Sequence, residues 1–260
     1  MEPIRVIAIG DIYGKPGRRF LRERLPAVVK KYHPHLIIAN GENSAGGRGI
    51  NSKTYKEIKE AGVHVITTGN HVFDDRGYTE VIDKLDVVVA YNFPEGTPGN
   101  RIFETEIMGK RVYVITMVGR VFMDFRAECP FRKSMEVFER DPKGIYILDF
   151  HAEATSEKTA LGLYLDGKYS LVFGTHTHVQ TSDERILPGG TAYITDIGMT
   201  GSRLSVIGAD PQKVIPKFMY PHLTRERAEP HDEDLRLQGI YVEIDGESRK
   251  ALYIERFDIP

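Results

Sequence analysis

Four short polar motifs each follow an apolar run in this chain: Gly10-Asp11, Asn40-Gly41-Glu42-Asn43, Gly69-Asn70-His71 and Gly174-Thr175-His176-Thr177-His178. A fifth, Asp149-Phe150-His151-Ala152-Glu153, has the same setting. Together they supply carboxylate and amide oxygens and imidazole nitrogens, enough donors for two metal ions. Asp11 can give a carboxylate oxygen to a hard cation. Glu42 can bridge, because its two oxygens match paired metals roughly 3.5–4 Å apart. Asn43 adds an amide oxygen. Adjacent side chains diverge, so Asn70 is assigned to metal and His71 to the substrate side. Asp149 and His151 share one side of a strand, and His176 and His178 project together from an extended segment.

Each residue alone has a blander role. A strand-end Asp caps a turn, a glycine-rich loop such as 44–49 is often only a turn, and a strand-end His is more often structural than metal-bound. Convergence of five motifs reverses those odds. His33-Pro34-His35 repeats the spacing of the His pair, but it falls in a helix-to-strand turn and reads as solvated. His64, His222 and His231 read as structural or surface residues. Gly10-Asp11-Ile12-Tyr13-Gly14-Lys15-Pro16 is not a phosphate-binding P-loop: it has one residue too few between the glycines, and Pro16 stands at the Ser/Thr position.

These motifs need a sheet to position them. Apolar runs at Arg5–Gly10, Leu36–Ala39, Val63–Thr67, Val87–Ala90, Ile145–Phe150 and Ser170–Phe173 predict strands buried on both faces. Helices are expected over Arg18–Tyr32, Ser52–Ala61, Gly77–Leu85 and Ser156–Leu165. Pro26 should kink or split the first, and Ser52 and Ser156 suit N-caps. Alternation of strand and helix gives an α/β fold with a largely parallel sheet. Hairpins at 102–117 and 240–257 add antiparallel edges, so mixed sheets are predicted. Open α/β sheets place ligands beyond the carboxyl ends of their strands, where the motifs fall.

The chain has 260 residues, 41% of them hydrophobic, and a net charge of −2. One substantial domain over 1–260 is expected, with no charge excess for coating nucleic acid or a membrane. Cys129 is the one cysteine, which excludes an internal disulfide and a thiolate metal cage. No uncharged apolar run approaches the ~20 residues of a membrane helix. A cytoplasmic protein is the expectation.

The segments GDIYGKPGR, NGENSAGGRGI, TTGNHVFD, DFHAEATSEK and GTHTHVQTSDERILPGGTAYITDIGMTG resemble the YmdB-type branch of the calcineurin-like metallophosphoesterases. They span Gly10 to Gly201. Tyr13 stands where the wider superfamily commonly has His, and Glu42 where it has Asp; the branch shares both departures. The resemblance implies a four-layer α/β/β/α sandwich. It also implies a binuclear phosphodiesterase acting on 2′,3′-cyclic nucleotides through a metal-bridging hydroxide. One metal would take Asp11, Glu42, Asn43 and His178, the other Glu42, Asn70, His151 and His176, with His71 beside the phosphate as the catalytic residue. The resemblance favours iron, with manganese or magnesium as alternatives; zinc also suits the donors. Arg48 and the 197–207 segment, including Thr200 and Gly201, are the candidate substrate contacts. The partner is a small nucleotide phosphodiester. Regulation through RNA and homo-oligomers at the sheet edges are further expectations. The competing readings are a nucleotide- or RNA-binding regulatory module that keeps a metal site, and a metal-dependent hydrolase of another bond such as an amide.

Overall fold

The computed structural model describes residues 2–84, 86–123, 126–222 and 228–260. In chain order the elements begin with β1 (Ile4–Ile9), β2 (Asp11–Ile12), α1 (Gly14–Tyr32), β3 (Leu36–Asn40), α2 (Ser52–Glu60), β4 (Val65–Thr67) and β5 (Val87–Val88). Next come β6 (Ile102–Ile107), β7 (Lys110–Val118), α3 (Pro130–Phe138), β8 (Ile145–His151), α4 (Thr155–Tyr164) and β9 (Leu171–Thr175). The chain closes with β10 (Arg185–Ile186), β11 (Ala192–Ile194), β12 (Met199–Ser202), α5 (Pro211–Met219), β13 (Leu235–Ile244) and β14 (Ala251–Ile259).

Two mixed sheets result. One is ordered β2-β12-β13-β1-β3-β4-β5, with β14 also on β13; the other is β10-β11-β9-β8-β7-β6. The strands β1, β3, β4 and β5 run parallel, as do β7, β8, β9 and β11. The two predicted hairpins are β6–β7 and β13–β14.

Alternation along the strands sorts the core into three layers. Ile4, Val6 and Ala8 of β1 join Val112, Val114, Ile145, Ile147, Leu171 and Phe173 between the sheets. Ile7 and Ile9 face the other way, toward Phe20, Leu21, Leu25 and Val28 of α1. Tyr146, Leu148 and Phe150 of β8 face outward with Val137 of α3 and Leu161 of α4. Helices therefore cover the outer face of each sheet, giving a four-layer α/β/β/α sandwich. None of the helices among the described residues is long and apolar enough to cross a membrane.

Several local expectations are corrected. Pro26 does not split α1, which runs unbroken from Gly14 to Tyr32 with Pro26 on its exposed face. The N-cap of α2 is Asn51, whose side chain accepts from Thr54 N–H while Thr54 Oγ1 accepts from Asn51 N–H; Ser52 is already helical. The N-cap of α4 is Ala154, with Ser156 inside the first turn. The expected helix at 77–85 is a short 3₁₀ turn over Arg76–Glu80, and Leu85 lies outside the described residues. His35 is also less solvated than expected, because its Nδ1 accepts the Arg5 N–H at 3.0 Å.

Candidate metal centre

The alternation that fills the inter-sheet layer also builds the floor of the site. On β3, β4, β8 and β9 the inward series ends in Asn40, Thr67, Asp149 and Thr175, all buried, and His151 follows Asp149 on the same side. The Asp149 carboxylate accepts from Thr67 Oγ1 and Thr175 Oγ1 at 2.6 Å each and from Asn40 Nδ2 at 3.1 Å. Burial pushes this carboxyl up to about 6 despite those donors. Thr175 spends its proton on Asp149, so its oxygen accepts from His151 Nδ1–H at 2.8 Å. That chain assigns the His151 tautomer and turns the Nε2 lone pair toward the cleft.

Above this floor the side chains form two groups that share Glu42. In the first, His151 Nε2 lies 2.9 Å from Glu42 Oε1, 3.0 Å from His176 Nδ1 and 3.1 Å from Asn70 Oδ1. Ligand atoms of Glu42, His151 and His176 all fall within 4.8 Å of one another. In the second, Asn43 Nδ2 lies 3.1 Å from His178 Nε2, 3.4 Å from Asp11 Oδ1 and 3.5 Å from Glu42 Oε1. His178 Nε2 and Asp11 Oδ1 are 3.6 Å apart. The donor set fits metal ions: three acceptor atoms crowd one imidazole nitrogen in the first group, and one nitrogen can offer them a single proton. Rotating the Asn43 amide would present its oxygen in place of its nitrogen. With no thiolate present, the set suits Fe, Mn or Zn better than a soft metal.

Charges within the site are strongly coupled. Burial opposes ionisation of Asp11, but His178 and His151 hold it well below the usual carboxylate range. Burial likewise opposes a charged His151, and Glu42 outweighs it, lifting the imidazole to about 9 among the protein groups alone. Burial and the charge of His151 drive His176 down to about 3, which leaves its nitrogens neutral and able to bind a cation.

The His176–His178 loop is not the extended strand expected from its spacing. Both residues have positive φ, 96° and 64°, a strained conformation for non-glycine residues. Buried contacts hold it. Lys158 Nζ donates to Thr175 O at 2.8 Å, and Asp196 Oδ2 accepts from Thr177 N at 3.2 Å and Thr177 Oγ1 at 2.8 Å. His178 Nδ1–H donates to Ile207 O at 2.8 Å, which leaves Nε2 free for the site. Gly69 is required by close approach: a Cβ there would stand 2.2–2.4 Å from the His151 ring.

His71 and Arg48 line the cleft, about 280 Å³ in volume, with Tyr13, Glu42, Asn43, Gly47, His176 and His178 among its walls. The His71 backbone N–H donates to Glu42 Oε2 at 2.9 Å, and its ring Nδ1 pairs with Asp74 Oδ2 at 2.8 Å. Asn70 thus turns toward His151 while His71 faces the opening. Arg48 is exposed at the rim, 3.9 Å from Asp74. Thr200 does not join the cleft: it is buried in β12, where pairing with β2 makes it a support for Tyr13, whose N–H bonds Thr200 O at 3.0 Å. Gly201 lines an adjoining cleft instead. Sequence reasoning missed four contributors. Tyr13 sets its ring edge-on to His178 at 5.6 Å, and Glu153 Oε2 lies 3.2 Å from His176 Nε2. The Thr175–Asp149 relay and the Ile207 carbonyl are the others. Glu153 and Thr175 stand inside motifs already singled out, and Ile207 ends the 197–207 segment expected at the substrate, but its carbonyl's role toward His178 carries no local signal.

The family described as YmdB-like protein matches residues 7–257. The chain is 44% identical over 256 residues to the 2′,3′-cyclic-nucleotide 2′-phosphodiesterase of Bacillus subtilis (strain 168), covering 97% of this chain and 96% of that one. Its fold is similar to a crystal structure of a novel phosphatase from Mycoplasma pneumoniae, with a TM-score of 0.93, 38% identity, and coverage of 100% and 94%. A hypothetical protein from Thermus thermophilus superposes with a TM-score of 0.91 at 36% identity, covering 98% of each chain. With the four-layer fold and the motif order in hand, these likenesses settle the ancestry: the chain belongs to the YmdB-like branch of the calcineurin-like metallophosphoesterases.

Proposed function

We propose that this phosphoester hydrolase opens the cyclic phosphodiester of a 2′,3′-cyclic nucleotide, using two metal ions held by Asp11, Glu42, Asn43 and His178 on one side and by Glu42, Asn70, His151 and His176 on the other. The observation that carries the reading is the buried Glu42 carboxylate, placed between both donor groups. The name of the Bacillus subtilis relative supports the substrate class.

When bound, the metals lower the pKa of water to about 7 and offset phosphate charge. The chain's own residues do the rest. Arg48 at the rim attracts the anionic phosphate. Asp74 holds His71 Nδ1, so the ring's Nε2 faces the cleft and passes a proton to the leaving ribose oxygen. The water gives one proton to solvent as its oxygen bonds to phosphorus, the P–O2′ bond breaks, the 2′-oxygen takes the proton of His71, and His71 is reprotonated from solvent, leaving a nucleoside 3′-phosphate. Fe is the metal favoured here, with Mn, Mg and Zn as alternatives, and the cytoplasm is the proposed setting.

The test is turnover of adenosine 2′,3′-cyclic phosphate by protein supplied with Mn²⁺ or Fe²⁺, with products resolved by chromatography. An amide substrate is run beside it. Release of the 3′-phosphate, abolished by chelator and restored by metal, is expected. Amide cleavage without phosphodiester cleavage would overturn the proposal.

A further inference from the structure

Next to the metal cleft runs a second cleft of about 600 Å³, between the Gly46–Arg48 loop and α5. We infer that it seats the nucleobase of the substrate, an inference that rests on the proposed phosphodiesterase reading.

Continuity is the first argument. The two clefts share Tyr13, Gly47, Arg48 and Ile207 in their walls. A ligand whose phosphate reaches His71 and Arg48 therefore extends past these residues into the second space. The combined size lies in the range that holds a nucleotide-sized molecule.

The chemistry of the walls is the second. Val206, Ile207, Val214 and Phe218 give it an apolar lining. Val214 and Phe218 lie four residues apart on α5 and so share a helix face. α5 has no buried residue, although it carries Val214, Ile215, Phe218 and Met219. Phe218 is 79% exposed beside this cleft, a flat ring open to a planar partner. Arg48 and Lys217 add positive charge to the same walls, and Lys217 has no ion-pair partner among the described residues. An aromatic heterocycle with an anion at one end matches this combination of apolar face and cationic rim.

Rigidity is the third. Val206 and Ala209 exchange backbone hydrogen bonds at 2.9 and 3.0 Å, closing a tight turn around Ile207 and Gly208. Ile207 is held at φ 48°, a conformation that β-branched residues rarely adopt. Its carbonyl binds His178 while its side chain lines both clefts. The base seat and the metal ligand are thus fixed by one residue. Gly208 can sit there because a Cβ would stand 2.5 Å from the Tyr13 ring. Tyr13, Arg48, Asp74 and Lys217 also line the cleft, but its apolar part holds a base by stacking, which discriminates weakly between bases.

The test compares adenosine 2′,3′-cyclic phosphate with ribose 2′,3′-cyclic phosphate, which lacks the base. Binding is measured by calorimetry and turnover is measured in parallel, on wild type, Phe218→Ala and Phe218→Trp. Phe218→Ala should lower the preference for the base-bearing ligand roughly ten-fold in Kd and KM, and Phe218→Trp should restore it. Cytidine 2′,3′-cyclic phosphate should bind within a few-fold of the adenosine compound. If wild type binds the base-bearing ligand better and Phe218→Ala erases that preference, the base seat stands even where turnover is absent; only the phosphodiesterase reading would then fail. Normal turnover with an unchanged preference in Phe218→Ala would overturn the base seat. So would sedimentation showing that Phe218 closes a dimer while base preference is unaffected.

Discussion

Lys158 Nζ lies 2.7 Å from Asp196 Oδ2, and each side chain is only 1% exposed. The pair clamps the strained His176–His178 loop from below, through Thr175 O and Thr177. Burial leaves Asp196 above the ordinary carboxylate range even with Lys158 beside it. Lys158→Met should destabilise the fold by about 3–5 kcal/mol, because it strands a buried carboxyl group. Lys158→Met with Asp196→Leu should recover much of that stability but not metal binding, since the loop stays unclamped. Urea denaturation and elemental analysis separate the two effects. Full metal content in the double variant would show that the pair does not position the loop.

The Thr175 hydroxyl joins His151 Nδ1 to Asp149. Thr175→Val keeps the shape and removes the relay. Metal affinity should fall roughly 10–100-fold, the usual effect of losing a hydrogen bond behind a ligating His. Competition with a chromogenic chelator measures it. An unchanged affinity would mean that packing alone fixes the imidazole.

The parts of this architecture that were legible in the sequence are those set by short-range chemistry. Strands such as Leu36–Asn40 and Ile145–His151 announce themselves as apolar runs ending in polar residues, because the inter-sheet layer demands Ile and Val until the site begins. What lay beyond reach depends on contacts distant in sequence. The cap of α2 fell to Asn51 over Ser52 through its reciprocal pair of hydrogen bonds with Thr54. β12 has no periodic signature, since its residues are wholly buried in a four-residue strand. Ile207 matters through a carbonyl, which no residue type reveals.

His71→Ala should keep its metals, because the bond to Glu42 Oε2 comes from the backbone N–H and survives the substitution. Loss of proton transfer from the ring should lower kcat by about 10²–10⁴. Asp74→Asn should cost less, since it loosens the ring without removing it. Steady-state kinetics on matched metal-loaded samples checks both. Wild-type kcat in His71→Ala would remove this residue from the chemistry.

Metal uptake should depend on pH through His151. Its imidazole, lifted to about 9 by Glu42 against the opposing effect of burial, must lose its proton before Nε2 can bind a cation. Apparent metal affinity should therefore rise from pH 7 toward pH 9 and level off above it. The stability of metal-stripped protein runs the other way. A folded pKa raised above the ordinary 6.5 contributes stability that is complete below 6.5 and is lost as pH climbs through about 9. Glu42, held below its ordinary 4.5 against burial by His151, contributes above that value and is lost in acid. Thermal melts of chelator-treated protein should thus decline between pH 6.5 and 9, while metal added at pH 9 restores more than metal added at pH 7. Calorimetry in buffers of different ionisation enthalpy should show protons released on metal binding at pH 7 and fewer at pH 9.5. Equal release at both would place the displaced proton elsewhere than His151.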